Sequence, residues 1–246
     1  MADRQGRVES TITNVLDNAS RLQAPAVARY VERVRRAHPH ETPAQIVARM
    51  EKMFLTAVTS SGSAVGATAA VPTVGTAASI AAVGAETAFF LEASALLTLA
   101  IASVHGISPH DHQQRRTLVL AVALGESGME IVERATGLTA TNWAHLVTGR
   151  IPPQTMKAMN SSLVRRFVTK YAARRSALIL GKLLPAGVGA VIGGAGNRAI
   201  GRGVIDNARE AFGPAPRAWR DRVDAPDADA RLPVSPAPSQ ERKVHS

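Results

Sequence analysis

The chain has 246 residues, 46% hydrophobic but only 4% aromatic, so its interior is built from alanine and aliphatic side chains, which suits close-packed helices better than sheets. Without cysteine it has no disulfide, no thiolate zinc site and no cysteine nucleophile. The formal charge of +10 suits anionic lipid or nucleic acid and does not choose between them.

The charge is unevenly spread. Residues 53–112 contain no lysine or arginine, whereas residues 113–213 carry fourteen basic and five acidic side chains. The opening MADRQGRVES has no apolar run, so no secretory signal is expected. Residues 1–21 read as a polar, flexible segment. Val27, Tyr30, Val31 and Val34 then form one helical stripe that ends at His38-Pro39. Thr42-Pro43 is a helix start, with threonine as N-cap and proline in the first turn. Ile46, Val47, Met50, Met53, Phe54, Ala57 and Val58 continue that helix at 3.6-residue spacing into SSGSAVGATAA.

After Pro72 and Gly75 a second long helix is predicted from about Ala77 to Val104, stopped by His105-Gly106. These two helices are expected to form a long central hairpin. QQRRTLVLAVALGES predicts a further helix, with Leu118, Leu120, Val122 and Leu124 turned inward. Another follows over Gly128–Thr136, stopped by Gly137, and a short one over Thr141–Thr148. Pro152-Pro153 precedes one or two amphipathic basic helices. Ser127 reads as a turn or N-cap; Gly125-Glu126-Ser127-Gly128 lacks the second glycine of a nucleophile elbow. From 213 the chain is rich in proline, aspartate and alanine and predicts a disordered tail.

Residues 53–104 are long enough for two membrane spans. Glu86, Glu92, Pro72 and a heavy load of glycine, serine and threonine oppose this, since an acid at the bilayer centre costs roughly 2.5–3.5 kcal/mol. The expectation is a soluble helical fold whose small-residue hairpin lies against or dips into a membrane. Flanking basic residues place both hairpin ends on the cytoplasmic face.

Gly187–Gly194 reads GVGAVIGG, whose spacing departs from a dinucleotide fingerprint; no β-branched strand precedes it and no ribose-binding acid follows. Packing explains it better. Gly189 and Gly193 form one GxxxG, Gly62 and Gly66 another, and such spacing strips a helix face so that two backbones can approach. The glycine-rich stretch is therefore expected as a thin helix against the hairpin near Gly62–Gly66.

LLPAGVGAVIGGAGNRAIGRGVIDNARE resembles the C-terminal signature of the EcsC family. The shared features are a Leu-Pro, a Gly/Ala/Val run, Gly-Gly, an asparagine position taken by Asn197 and a helix ending near Ala208–Phe212. GATAAVPTVGTAASIAAVGAETAFF, with HGI closing its helix, is similar to the family's N-terminal half. The resemblance covers about residues 42–212 in word-level motifs. It implies an accessory role beside a membrane transport or secretion system and brings no catalytic residue. The arginine-rich second half and the proline-rich tail depart from it.

Two side-chain sets are candidate sites. His38, His40 and Glu41 on one loop, with His105, His110, Asp111 and His112 on another, would supply imidazole and carboxylate ligands for zinc or another divalent metal if the hairpin's open ends meet. The competing reading has Asp111 capping the next helix and the histidines solvated. Arg165, Arg166, Lys170, Arg174, Arg175 and Lys182 form a basic helical set for anionic lipid or a membrane protein. Nucleic acid is not favoured, because only Phe167 and Tyr171 interleave with these charges.

The sequence thus predicts an all-α, Ala/Gly-rich bundle over 22–212, between the segment 1–21 and the tail 213–246. Its expected role is non-catalytic and membrane-associated, at the cytoplasmic face, with no cofactor. A metal-dependent enzyme using the histidine loops and a nucleic-acid module are the alternatives.

Overall fold

The computed structural model describes residues 26–68, 76–107, 109, 111–137, 144–147, 151–181 and 188–219, and all regular structure among them is helical. The expected flexible segment 1–21 lies outside this set. Helix α1 covers 26–37 and buries Val27, Val31 and Val34 along one stripe. Helix α2 spans Pro43–Thr68 and begins with a capping box. The Gln45 amide N–H donates to Thr42 Oγ1 (3.3 Å), and the Thr42 N–H donates back to Gln45 Oε1 (2.8 Å). Both glycines of SSGSAVG lie inside α2.

Helix α3 spans Thr76–Val104. It ends where the sequence places a stop. The Ile107 N–H reaches back to Ala102 O and the Gly106 N–H to Ser103 O, a Schellman closure. Gly106 at φ 71° adopts the left-handed backbone this closure needs. Ala85–Val104 is the stretch among the described residues long and apolar enough to cross a membrane. However, 61% of it is buried in the bundle, and the core helix of a soluble protein passes the same test.

Helix α4 (His112–Leu124) is capped by Asp111, whose carboxylate accepts the Gln114 N–H at 2.8 Å. Residues 117–122 of α4 are all buried. A helix apolar on every side belongs in the interior, which explains why Leu118, Leu120, Val122 and Leu124 do not trace a single face. Helix α4 touches α3 and the four helices that follow it, and so lies at the centre of the bundle. Gly125 (φ 64°) turns the chain directly into α5 (Glu126–Thr136). Ser127, expected as a turn or cap, lies within α5; Gly125 holds the N-cap position without a side-chain bond. A Cβ on Gly128 would fall 2.2 Å from Ala121 O, so α4 and α5 meet backbone to backbone.

Helix α6 covers Ala144–Val147, inside the expected Thr141–Thr148, and the other residues of that stretch, Trp143 among them, lie outside the described residues. Helix α7 (Pro153–Gly181) is a single helix. Its buried positions Met156, Met159, Leu163, Val164, Phe167 and Val168 follow helical periodicity. Asn160 clasps it to α4: Thr117 Oγ1 donates to Asn160 Oδ1 (2.9 Å), and Asn160 Nδ2 donates to Gln113 Oε1 (2.8 Å).

Helix α8 (Val188–Phe212) joins the glycine-rich stretch and GVIDNAREAF into one element. It runs antiparallel to α2 and is its most extensive partner; α2 touches α3 as well. At the far end of this pair the buried Glu51 carboxylate is gripped by Arg209, through Nε at 2.9 Å and Nη2 at 2.6 Å. That bond raises the Arg209 pKa further.

The expected tail does not leave the bundle at 213. Residues 213–219 pack back, and Trp219 Nε1 donates to Glu41 O at 3.2 Å. The Arg35 guanidinium lies 4.7 Å over the indole, a contact typically worth about 0.5–1 kcal/mol at exposed sites. Residues 220–246 lie outside the described set.

Candidate functional site

The α2–α8 seam is where the small residues act. A Cβ on Gly62 would lie 2.5 Å from Gly193 O, and one on Gly193 would lie 2.3 Å from Gly62 O. No side chain fits there, so the two backbones are in direct contact. The next α8 residue, Gly194, faces Ser63, and the Cβ it lacks would fall 2.2 Å from Ser63 Oγ. Gly66 closes the α2 side, 3.5 Å from that Cβ position of Gly193. Gly189 lies one turn before Gly193 in α8.

Asn197 sits one turn beyond Gly193 and bolts three helices together. Its Nδ2 donates to Val58 O of α2 at 3.0 Å and to Glu86 Oε1 of α3 at 2.6 Å. Both Asn197 and Glu86 are buried. Glu86 reads in the sequence only as an obstacle to membrane insertion; here its carboxylate accepts a bond that ties α3 to the seam.

These contacts gather the C-terminal end of α2, the N-terminal part of α3 and the N-terminal end of α8. Residues 59–68, 76–85 and 188–196 contain no ionisable side chain. Val191 at this end is 72% exposed, the most exposed large apolar residue described. Ala64, Ala67, Ala85 and Ala195 in these helix ends are exposed as well.

The basic set divides. Arg165 and Arg166 are exposed on the outer face of α7. Lys170 is partly buried and donates from Nζ to Leu124 O at 2.7 Å. It thus serves the C-terminal carbonyls of α4, where a cation is favoured, and is not a surface charge like its neighbours. Arg174 and Arg175 lie in α7 and their side chains are not described; Lys182 lies outside the described residues. Arg198 and Arg202, outside the expected set, are exposed on α8.

The histidines do not form a metal centre among the described residues, where no three histidine or carboxylate side chains converge. Sequence spacing puts ligands on two loops but does not fix the distance between them. His105 turns onto Phe212 with ring centroids 5.5 Å apart, and its Nδ1 meets Ile101 O at 2.9 Å. His40 is exposed and His38 half-buried; His112 opens α4, and His110 lies outside the described residues.

Glu41 is engaged by Arg49, with Nε 3.0 Å from Oε2 and Nη2 on the other oxygen. The hydrogen bond from Arg49 is the main reason its carboxyl is held below the ordinary value; the charges of Arg49 and His38 add to this and burial opposes it. A carboxyl depressed in the folded state contributes stability above its unfolded range and loses it as pH falls through the folded value. Stability is expected to decline below about pH 4, and Arg49→Gln to flatten that acid limb. Thermal melts of both proteins between pH 3 and 6 check this.

Comparison with protein-family models, with curated proteins and with solved structures finds no significant match in any of the three.

Proposed function

We propose that this is a non-catalytic, membrane-associated helical protein of EcsC type that seats its uncharged α2–α3–α8 end against an anionic membrane or a membrane protein. It acts at the cytoplasmic face as an accessory to a transport or secretion system. One observation carries the reading: the ends of α2 and α8 that meet at the Gly62–Gly193 contact, and the start of α3 tied to them through Glu86 and Asn197, carry no ionisable group over residues 59–68, 76–85 and 188–196, and Val191 of α8 stands 72% exposed. Bringing such an end out of water desolvates no charge, and its small residues admit a partner helix at short range.

Exposed Arg165, Arg166, Arg198 and Arg202 supply the attraction. Each charge near an anionic surface contributes about 1 kcal/mol. The EcsC-like words around Gly193, Asn197 and Phe212 support the same role. The burial of α3 favours a peripheral seat, with the α2–α3 hairpin end dipping into the bilayer, over two full spans.

The absence of native cysteine permits a direct test. Val191→Cys carries an environment-sensitive fluorophore, and the labelled protein is floated with phosphatidylcholine vesicles with or without phosphatidylglycerol. The expected result is flotation with the anionic vesicles, a blue-shifted emission and release at high salt. Replacing both Arg165 and Arg166 by Gln is expected to weaken binding roughly tenfold or more. If neither vesicle carries the protein upward and the emission is unchanged, the membrane reading fails.

A further inference from the structure

A groove of about 390 Å³ opens between α1, α2 and α3. Helix α2 lines it with Met50, Phe54 and Ala57, and α3 with Phe89, Ala93 and Leu96. Both sets run i, i+4, i+7, so the groove follows the two helices for about two turns, on the order of 10 Å. Met53 and Phe89 stand at its lip, 49% and 41% exposed. Among the described large apolar side chains only Val191 is more exposed.

The chain enters the bundle beside this groove, since Tyr30, which lines it, is about one turn from the start of α1. Upstream, outside the described set, residues 8–22 read VESTITNVLDNASRL. The segment is polar overall, yet on a helix Val8, Ile12, Val15, Leu16, Ala19 and Leu22 fall within one arc of about 120°. Asn14, Asp17 and Arg21 fall on the opposite side. Ile12, Val15, Leu16 and Ala19 thus stand at i, i+3, i+4 and i+7, the anchor spacing that an apolar groove between helices accepts.

We propose that the groove is the docking site of residues 8–22 of the same chain, which lie in it as an amphipathic helix folded back beside α1. Pro25 directly precedes α1 and pushes Ala24 out of the helical backbone region, so a helix over 8–22 breaks there. Two helices separated by so short a joint pack as an antiparallel hairpin. Fifteen helical residues reach about 22 Å, enough to span the groove and cover its lip. A helix of this length, rich in serine, threonine and asparagine, is marginal alone in water, and its apolar arc needs a partner surface. The short tether holds it beside the groove at an effective concentration on the order of millimolar. A second protein's helix enters only by displacing it, which makes the segment a built-in competitor for this surface.

The test uses the full chain in solution, without vesicles, so its outcome is independent of the membrane reading. The native chain has no cysteine. Met53→Cys is combined in turn with Ile12→Cys, Leu16→Cys and Ala19→Cys, and, for the opposite side, with Asn14→Cys and Asp17→Cys. Under mild copper–phenanthroline oxidation, at least one of the first three pairs is expected to close a disulfide within the monomer, and the two opposite-side pairs are not. In a second readout, Ile12→Asp with Leu16→Asp is expected to bare the groove, so that Nile red emission rises severalfold over the parent and shifts to the blue. Asn14→Asp leaves it unchanged.

Equal crosslinking from both sides of the segment, or from neither, overturns the proposal. So does Nile red emission as strong in the parent as in the double aspartate variant. A disulfide that forms only between molecules, at a rate rising with protein concentration, assigns the groove to a second copy and also overturns it. The crosslinking readout stands even if the double aspartate variant does not fold.

Discussion

Gly193→Ala is expected to destabilise the fold by about 2 kcal/mol, against the sign that helix propensity gives. In an open helix the same change stabilises by up to about 1 kcal/mol, because alanine loses less backbone entropy on folding. At this position the new methyl group lands 2.3 Å from the Gly62 carbonyl oxygen. The obstacle is backbone, which cannot rotate aside. α2 and α8 have to part, and Asn197 loses its reach to Val58 and Glu86. Gly203, nearly three turns further along the same helix, has nothing within 4 Å of its missing Cβ. Gly203→Ala is therefore expected to stabilise by roughly 0.5–1 kcal/mol. Urea unfolding of the two variants beside the parent measures both signs in one experiment. A Gly193→Ala protein more stable than the parent would falsify the close approach.

The second large effect is at Asn197. Asn197→Ala removes the amide that Val58 O and Glu86 share, at a cost of about 2–3 kcal/mol for the two bonds. Asn197→Asp is expected to cost more, about 4 kcal/mol near neutral pH. Aspartate keeps the shape but has no N–H to give, and it sets a second carboxylate where Glu86 Oε1 now lies 2.6 Å from a donor. With a whole-domain stability of about 5–15 kcal/mol, that variant approaches the limit of folding. The ordering is the diagnostic: an Asp variant as stable as the Ala variant, by urea midpoint at constant slope, removes Glu86 from this junction.

Local chemistry made much of the fold readable. Thr42-Pro43, His105-Gly106 and Gly137 mark helix ends because capping depends on residues within one turn. The glycine pairs named a packing face because the lack of a side chain is a property of the sequence itself. Partners across the fold were not readable. Glu86 meets Asn197 from 111 residues away, and Glu51 meets Arg209 from 158. Lys170 belongs by composition with the surface cations, and only tertiary placement turns it to the carbonyl of Leu124. The run LVLAVAL hid the centre of the bundle, since a helix buried all round has no periodic face. The H-x-H pairs show a related limit: proximity along the chain carries no information about where the two loops stand. Trp219 was assigned to the tail by the proline and aspartate around it, yet an indole finds a carbonyl and a guanidinium on the neighbouring loop and helix.

The α2–α8 seam also governs how the protein is made. Val58 and Asn197 are 139 residues apart, so α2 leaves the ribosome long before the helix that covers its glycine face. At roughly 5–20 residues per second, that wait lasts on the order of ten seconds. Throughout it, the glycine-bearing end of α2 over residues 59–68, which carries no charge, is exposed to anything able to lie alongside. Helical bundles ordinarily fold fast because their contacts are local; this one postpones its tightest contact until α8 has been made.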